Sequence, residues 1–249
     1  MADTLRFGPK HKVLETRYME FLLDSVLSAI LLLWSLDPEV YFIIYVSCKV
    51  SISSTIIASI LGVPAGFLIA FNDFRGKRTV ITILNSLLAL PTVVVGLVVY
   101  AFISRRGLLG MLELLYTQPA MVIGQVILIL PIVTTLTIAA VSRIDGRYRK
   151  TALTLGATPF QSALVVFREA RFAVIAAVIA CYGRVIAEIG ISMMLGGNAK
   201  GFTRTMTTAM ALEYDKGEFV LGVALGIVLL LISFVVNIFF NYLQGRTRT

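Results

Sequence analysis

The chain has 249 residues, 58% of them hydrophobic and 14% charged, whereas a soluble domain carries roughly 25% charged residues. Its formal net charge of +8 is spread over short connections between long apolar runs, which argues against nucleic-acid binding and for helices oriented in a bilayer. Two cysteines, Cys48 and Cys181, lie in apolar stretches without a partner at metal-ligand spacing, so neither a disulfide framework nor a bound metal is expected.

Crossing about 30 Å of hydrocarbon takes roughly 20 mostly apolar residues as a helix, and the chain offers about six such runs as one membrane domain over residues 1–249. The first, Met19 to Leu36, is interrupted by Glu20 and Asp24 and lacks a small-x-small cleavage site, so it reads as a retained helix, the weakest of the spans, rather than a signal peptide. Asp37-Pro38 is a helix-start signal, and it predicts an elbow over Pro38 to Cys48 and a span from Val50 to Phe71. After the basic turn Asn72 to Arg78, Thr79 to Ile103 is the third run, with a kink at Pro91. Ala120 to Val141 follows with Pro131 at its middle, then Phe172 to Leu195, and Glu218 to Leu243 closes the series.

Lysine and arginine set the orientation, because basic loops stay on the cytoplasmic side. The N-terminus, the Arg75 turn, residues 142–171 and the tail together hold 15 of them, and the opposite side holds 6. Six spans with both termini in the cytoplasm satisfy this imbalance.

Residues 142–171 are too polar for lipid. Lys150 to Leu155 favours a helix, Gly156 is a natural stop and Thr158-Pro159 a fresh start, which predicts two short helices joined at Gly156. An amphipathic loop lying on the headgroups is the plain alternative. With Gly156 as reference, Ala152 and Val166 fall where permease subunits of ABC importers carry the second alanine and the isoleucine of their Glu-Ala-Ala to Ile-x-Leu-Pro loop motif, while Lys150, Thr151 and Arg168-Glu169 depart from it. The strings Arg168 to Phe172, Gly183 to Gly190, Met193 to Asn198 and Thr203 to Ala209 are similar to the tungstate-type members of that family. Molybdate and sulfate permeases are more distant relatives. The close similarity covers Thr151 to Phe219.

The resemblance implies an all-α permease fold acting as a homodimer, with an extracytoplasmic oxyanion-binding protein and two cytoplasmic ABC ATPase subunits that hold ATP and Mg. It implies no cofactor on this chain and no catalysis by it. Residues 142–171 become the coupling loop, in which Ala152, Leu153, Leu155, Gly156, Ala157 and Phe160 meet the ATPase. No phosphate-binding Gly-x4-Gly-Lys-Ser/Thr string is present, and Phe202 stands where the nearest candidate needs its lysine. His11 lies in a charged stretch and reads as solvated.

Arg184 and Glu188 are four residues apart inside an apolar run, so they read as one ion pair on a single helix near mid-membrane. A pathway role and a purely structural one carry equal weight. Gly196, Gly197, Asn198, Thr203, Arg204, Thr205, Thr207 and Thr208 are the remaining pathway candidates, since glycine turns and hydroxyls can present donors to an oxyanion. A loop that only contacts the binding protein is the equal alternative. Gly62/Gly66 and Gly222/Gly226 are small-residue spacings that permit close helix packing. An intramembrane enzyme built on Arg184, Glu188 and Thr203 to Thr208 lacks a nucleophile with a base, and a channel without ATP coupling leaves the Gly156 loop without a purpose.

Overall fold

A computed structural model describes residues 24–245, except the Gln244 side chain. Among them every regular element is helical: α1 (Asp24–Trp34), α2 (Pro38–Phe71), α3 (Lys77–Leu87), α4 (Thr92–Ile103), α5 (Gln118–Ser142), α6 (Gly146–Thr154), α7 (Pro159–Ile186), α8 (Gly190–Gly196), α9 (Met206–Lys216) and α10 (Phe219–Gly245), with a 3₁₀ turn at Gly110–Leu112. Among the described residues three single helices, α2, α5 and α10, are long and apolar enough to span a bilayer, and the bent pairs α3 with α4 and α7 with α8 raise the number to as many as five if each pair counts as one span. The expected first span, Met19 to Leu36, lies partly outside the described residues, and its described part is the short apolar helix α1.

Three sequence expectations need correction. No elbow separates Pro38 to Cys48 from the span after it: α2 is one 34-residue helix, started by the Asp37 carboxylate accepting from Glu39 N at 2.7 Å and Val40 N at 3.4 Å. The third run is broken outright, with α3 and α4 meeting at 97° and Pro91 capping α4. Proline has no N–H to lose at a helix start, so the break falls where it costs least. The fifth run is broken too, α7 and α8 meeting at 60° across Ala187 to Ile189.

The core forms around α2 and α5. Gly62 and Gly66 face α5 so closely that a Cβ on Gly66 would stand 2.6 Å from the Thr134 carbonyl oxygen and 2.8 Å from Thr137 Cβ. The other spacing packs loosely, a Cβ on Gly222 finding its nearest neighbour, Glu213 Cβ, at 3.9 Å. Val46, Val50, Ala58, Met121, Ile129 and Val133 fill the α2–α5 seam, and Ile191 and Leu195 of α8 join it. A buried polar link crosses these three helices: Ser54 Oγ donates to Gln125 Oε1 at 2.8 Å, and Gln125 Nε2 donates to Ser192 Oγ at 3.4 Å. Away from water such side chains are stable only when paired, so the link specifies which faces of α2, α5 and α8 meet. By contrast α10 leaves Leu230, Leu231, Phe234, Val235, Ile238 and Phe239 exposed, a face suited to lipid.

These contacts give opposite expectations for two glycines. Gly66→Ala should destabilise the purified protein by about 1–3 kcal/mol through overpacking against backbone. Gly222→Ala should be neutral or slightly stabilising, since alanine is the better helix former by about 1 kcal/mol. Thermal melts in one detergent check the pair; equal melting temperatures for Gly66→Ala and the parent would refute the close α2–α5 contact.

Candidate functional site

The first candidate surface is the turn between α6 and α7. Asp145 starts α6 by accepting from Arg147 N at 2.9 Å, and the helix ends where Gly156 takes φ +84°, with Gly156 N donating to Leu153 O and Ala157 N to Ala152 O. Such a left-handed residue closes the last carbonyls of a helix, and glycine adopts it at no steric cost. Thr158 then begins α7 with a capping box shared with Gln161. The expectation of two short helices holds for α6 only, because the second is the first part of a 28-residue helix that continues into the apolar run.

Around this turn the large apolar side chains point outward. Leu155 is 82% exposed, Phe160 78%, and Leu153 and Leu164 are exposed as well. An open groove of about 660 Å³ lies beside them, lined by Asp145, Tyr148, Thr151, Ala152, Leu155 and Ala157. Leucine and phenylalanine left so open beside a polar rim mark a surface that another molecule covers. The turn is tied to the core at both flanks. Arg149 stacks 4.3 Å over the Phe71 ring and donates to Phe71 O at 3.2 Å, closing the end of α2, while Val166, Ala170 and Val174 of α7 are buried with Ala140 and Val141 of α5.

The second candidate lies at the break between α7 and α8. Arg184 and Glu188 form an ion pair at 3.3 Å, but they do not share a helix: α7 ends at Ile186 and Glu188 occupies the break. Its Oε1 accepts from Gly190 N at 2.9 Å and Ile191 N at 3.4 Å, so the carboxylate supplies the acceptor that the first amides of α8 need. Glu188 has a 3% exposed side chain and Arg184 a 49% exposed one, hence the acid is structural in its contacts and the cation is presented outward.

The third candidate is the loop over 196–208. Its hydroxyls were expected to present donors to an anion, yet Thr203 to Thr208 are all buried. The reason is that its polar groups serve one another. Thr203 Oγ1 donates to Gly196 O and accepts from Ala199 N at 3.0 Å, Thr205 caps α9 in a box with Thr208, and Asn198 Nδ2 donates to Thr208 O at 3.2 Å. Met206 N donates to Ser47 Oγ at 2.7 Å, pinning the loop to α2. Thr207 Oγ1 donates to Glu188 O at 3.0 Å, which brings the second and third candidates together. Gly197 N is also engaged, with Met193 O at 3.0 Å. The amides of Gly197 and Ala199 and the Thr203 and Thr207 hydroxyls therefore hold the loop's shape.

Sequence reasoning missed Glu39. In the first turn of α2 its Oε2 meets Lys200 Nζ at 2.7 Å and its Oε1 meets Arg204 Nη1 at 3.4 Å. An acid in the first turn reads as ordinary helix chemistry, and partners about 160 positions away leave no local pattern. Gln125, Ser54 and Ser192 were missed for the same reason; a glutamine in the middle of an apolar run was the available signal.

Comparison with known proteins agrees with this architecture. Residues 62–249 match the family described as binding-protein-dependent transport system inner membrane component. The chain is 39% identical over 226 residues to the tungstate uptake system permease protein of Peptoclostridium acidaminophilum, covering 91% of this chain and 99% of that one. It is 38% identical over 235 residues to the tungstate uptake system permease protein of Campylobacter jejuni, with 94% and 98% covered. A probable anion ABC transporter permease protein of Haloferax volcanii is 39% identical over 207 residues, covering 81% of this chain and 89% of that one. With a family match that runs from the last part of α2 through α10 and takes in both bent pairs, and with relatives aligned over most of their length, this chain belongs to the inner membrane components of binding-protein-dependent transport systems.

Proposed function

We propose that the chain is the membrane-spanning permease subunit of an ATP-driven importer for tungstate or a closely similar tetrahedral oxyanion. The observation that carries this reading is the similarity, at 38–39% identity over nearly the whole chain, to permeases named for tungstate uptake. Relatives named for sulfate or molybdenum transport are 23–27% identical and support those anions less. The permease acts as a homodimer, receives the anion from an external binding protein, and lies in a prokaryotic plasma membrane with both termini and the α6–α7 turn in the cytoplasm. The basic residues flanking that turn support this orientation.

In this mechanism two ATPase subunits hold ATP and Mg and close on nucleotide. Leu153, Leu155, Ala157 and Phe160 insert into each ATPase, with Ala152 and Gly156 shaping the turn; their exposure in the single chain supports a role completed by a partner. Because the turn is capped directly onto α7, its displacement is carried along that helix to the break at Glu188. Arg184, held by Glu188 but open on its other side, meets the passing anion, while Gly196, Gly197, Asn198, Thr203, Thr205, Thr207 and Thr208 form the scaffold that positions the outer end of the path. A path of this kind binds its cargo weakly, since the anion must also leave.

Uptake into vesicles containing the reconstituted complex tests the reading. Tungstate should accumulate only when ATP is present on the ATPase side, with molybdate slower and sulfate slowest. ATP-driven accumulation of sulfate with none of tungstate would overturn the assignment.

Arg184 and Glu188 should separate in their effects. Arg184→Gln should lower the melting temperature only modestly, because the Glu188 carboxylate keeps the Gly190 and Ile191 amides as partners, and it should cut uptake about tenfold or more. Glu188→Ala should lower stability by about 0.5–2 kcal/mol, the usual cost of a lost cap. Normal uptake by a stable Arg184→Gln protein would exclude contact between Arg184 and the anion.

A further inference from the structure

Glu39, Lys200 and Arg204 form a cluster in which one carboxylate serves two cations, Oε2 on Lys200 Nζ at 2.7 Å and Oε1 on Arg204 Nη1 at 3.4 Å. The arrangement is unequal. Lys200 is well exposed, whereas the Arg204 side chain is only 11% exposed and its Nε is buried with no hydrogen-bond partner. A buried guanidinium donor without an acceptor is costly, and Glu39, spread between Lys200 Nζ and Arg204 Nη1, leaves Nε unserved. A planar carboxylate bridging two cations meets the guanidinium at one nitrogen only. A tetrahedral oxyanion carries an acceptor at every corner, enough to serve Lys200 Nζ and a two-donor edge of the Arg204 guanidinium, such as Nε with Nη2, together.

We propose that Lys200 and Arg204 form a receiving site for a tetrahedral dianion, and that Glu39 is its built-in competitor, occupying the cations when no anion is present and displaced when one arrives. The proposal rests on the oxyanion-import reading and adds to it a specific site and a residue that limits its affinity. The surroundings fit this use. The backbone between the two cations is fixed independently of Glu39, with Thr203 N and Arg204 N both donating to Ala199 O and Gln118 Nε2 donating to Phe202 O at 2.7 Å. Lys49 Nζ, 2.9 Å from Gln118 Oε1, adds positive charge nearby. Glu39, by contrast, reaches the cluster from α2, so the carboxylate can withdraw without unfolding the loop that carries the cations. On the other flank Thr207 joins this loop to Glu188, the partner of Arg184. Two cationic stations, each masked by a glutamate, thus lie on one connected scaffold, and an anion exchanges one carboxylate for another along it. Masking keeps each station weak, which conduction demands.

The test is equilibrium dialysis of labelled tungstate, molybdate and sulfate against the full-length permease in a neutral detergent, with the melting temperature followed at rising anion concentration. Glu39→Gln should bind one of these anions roughly tenfold tighter than the parent and be stabilised by it in a concentration-dependent way. Adding Arg204→Gln should abolish the gain. Glu39→Asp keeps the charge but is too short to hold both cations, so it should show a smaller gain and serves as the deciding variant if Glu39→Gln does not fold. Should Glu39 merely fasten α2 to the loop, the folded variants lose melting temperature and gain no anion affinity, which overturns the proposal. Because all three anions are probes, a cargo other than tungstate changes which anion shows the gain and contradicts only the tungstate assignment; no gain with any anion contradicts the receiving site itself.

Discussion

A helix can break inside an apolar bundle only where the freed amides and carbonyls find partners, and this constraint decides where the chain is mechanically continuous and where it bends. At Ala187 to Ile189 the partners are supplied locally: the Glu188 carboxylate takes the amides of Gly190 and Ile191, and the Thr207 hydroxyl takes the Glu188 carbonyl. Everything before that point, back to the Thr158 cap, is one helix of 28 residues, about 42 Å at 1.5 Å per residue. The turn carrying Gly156 and the break carrying Glu188 are therefore the two ends of a single rod.

That continuity gives the remaining elements their roles. Val166, Ala170 and Val174 pack one end of the rod on α5, and Cys181 and Val185 pack the other end into the core shared with α2 and α5. The stub α8 is received against α5 at Gly124, where a Cβ would come within 2.5 Å of Leu195 Cδ1. A shift of α7 cannot be absorbed by soft packing in such a seam, since close-packed interfaces change between discrete arrangements rather than deforming smoothly. Arg149 on α6, stacked on Phe71 and bonded to its carbonyl, ties the same turn to the end of α2.

Much of this was legible in the sequence. Apolar runs located α2, α5 and α10, because lipid tolerates few charges and the charges punctuate the chain. Gly156 and Thr158-Pro159 marked the α6–α7 turn through chemistry that acts within a few residues. Pro91 marked a kink but not its size: Leu87-Leu88-Ala89-Leu90 is as apolar as the helices flanking it, so hydropathy reports membership in the span and says nothing of a 97° bend. Thr203 to Thr208 were read as donors for an anion because nothing local says otherwise, yet here they cap a helix, bond one another and are buried. Gly62 and Gly66 looked like a common spacing and prove to mark a close α2–α5 approach. Glu39 was invisible, since its meaning comes entirely from residues brought to it by folding.

In the mechanism proposed above, the Gly156 turn passes the ATPase's movement into α7. Gly156→Val isolates that claim, because a Cβ there meets nothing within 4 Å and the change acts only through the φ of +84° that a β-branched residue resists. The measurement is recovery of the ATPase subunit on tagged permease, alongside the permease's own melting temperature. The variant should fold with a near-parental melting temperature and retain much less ATPase; parental retention would contradict the coupling role of the turn.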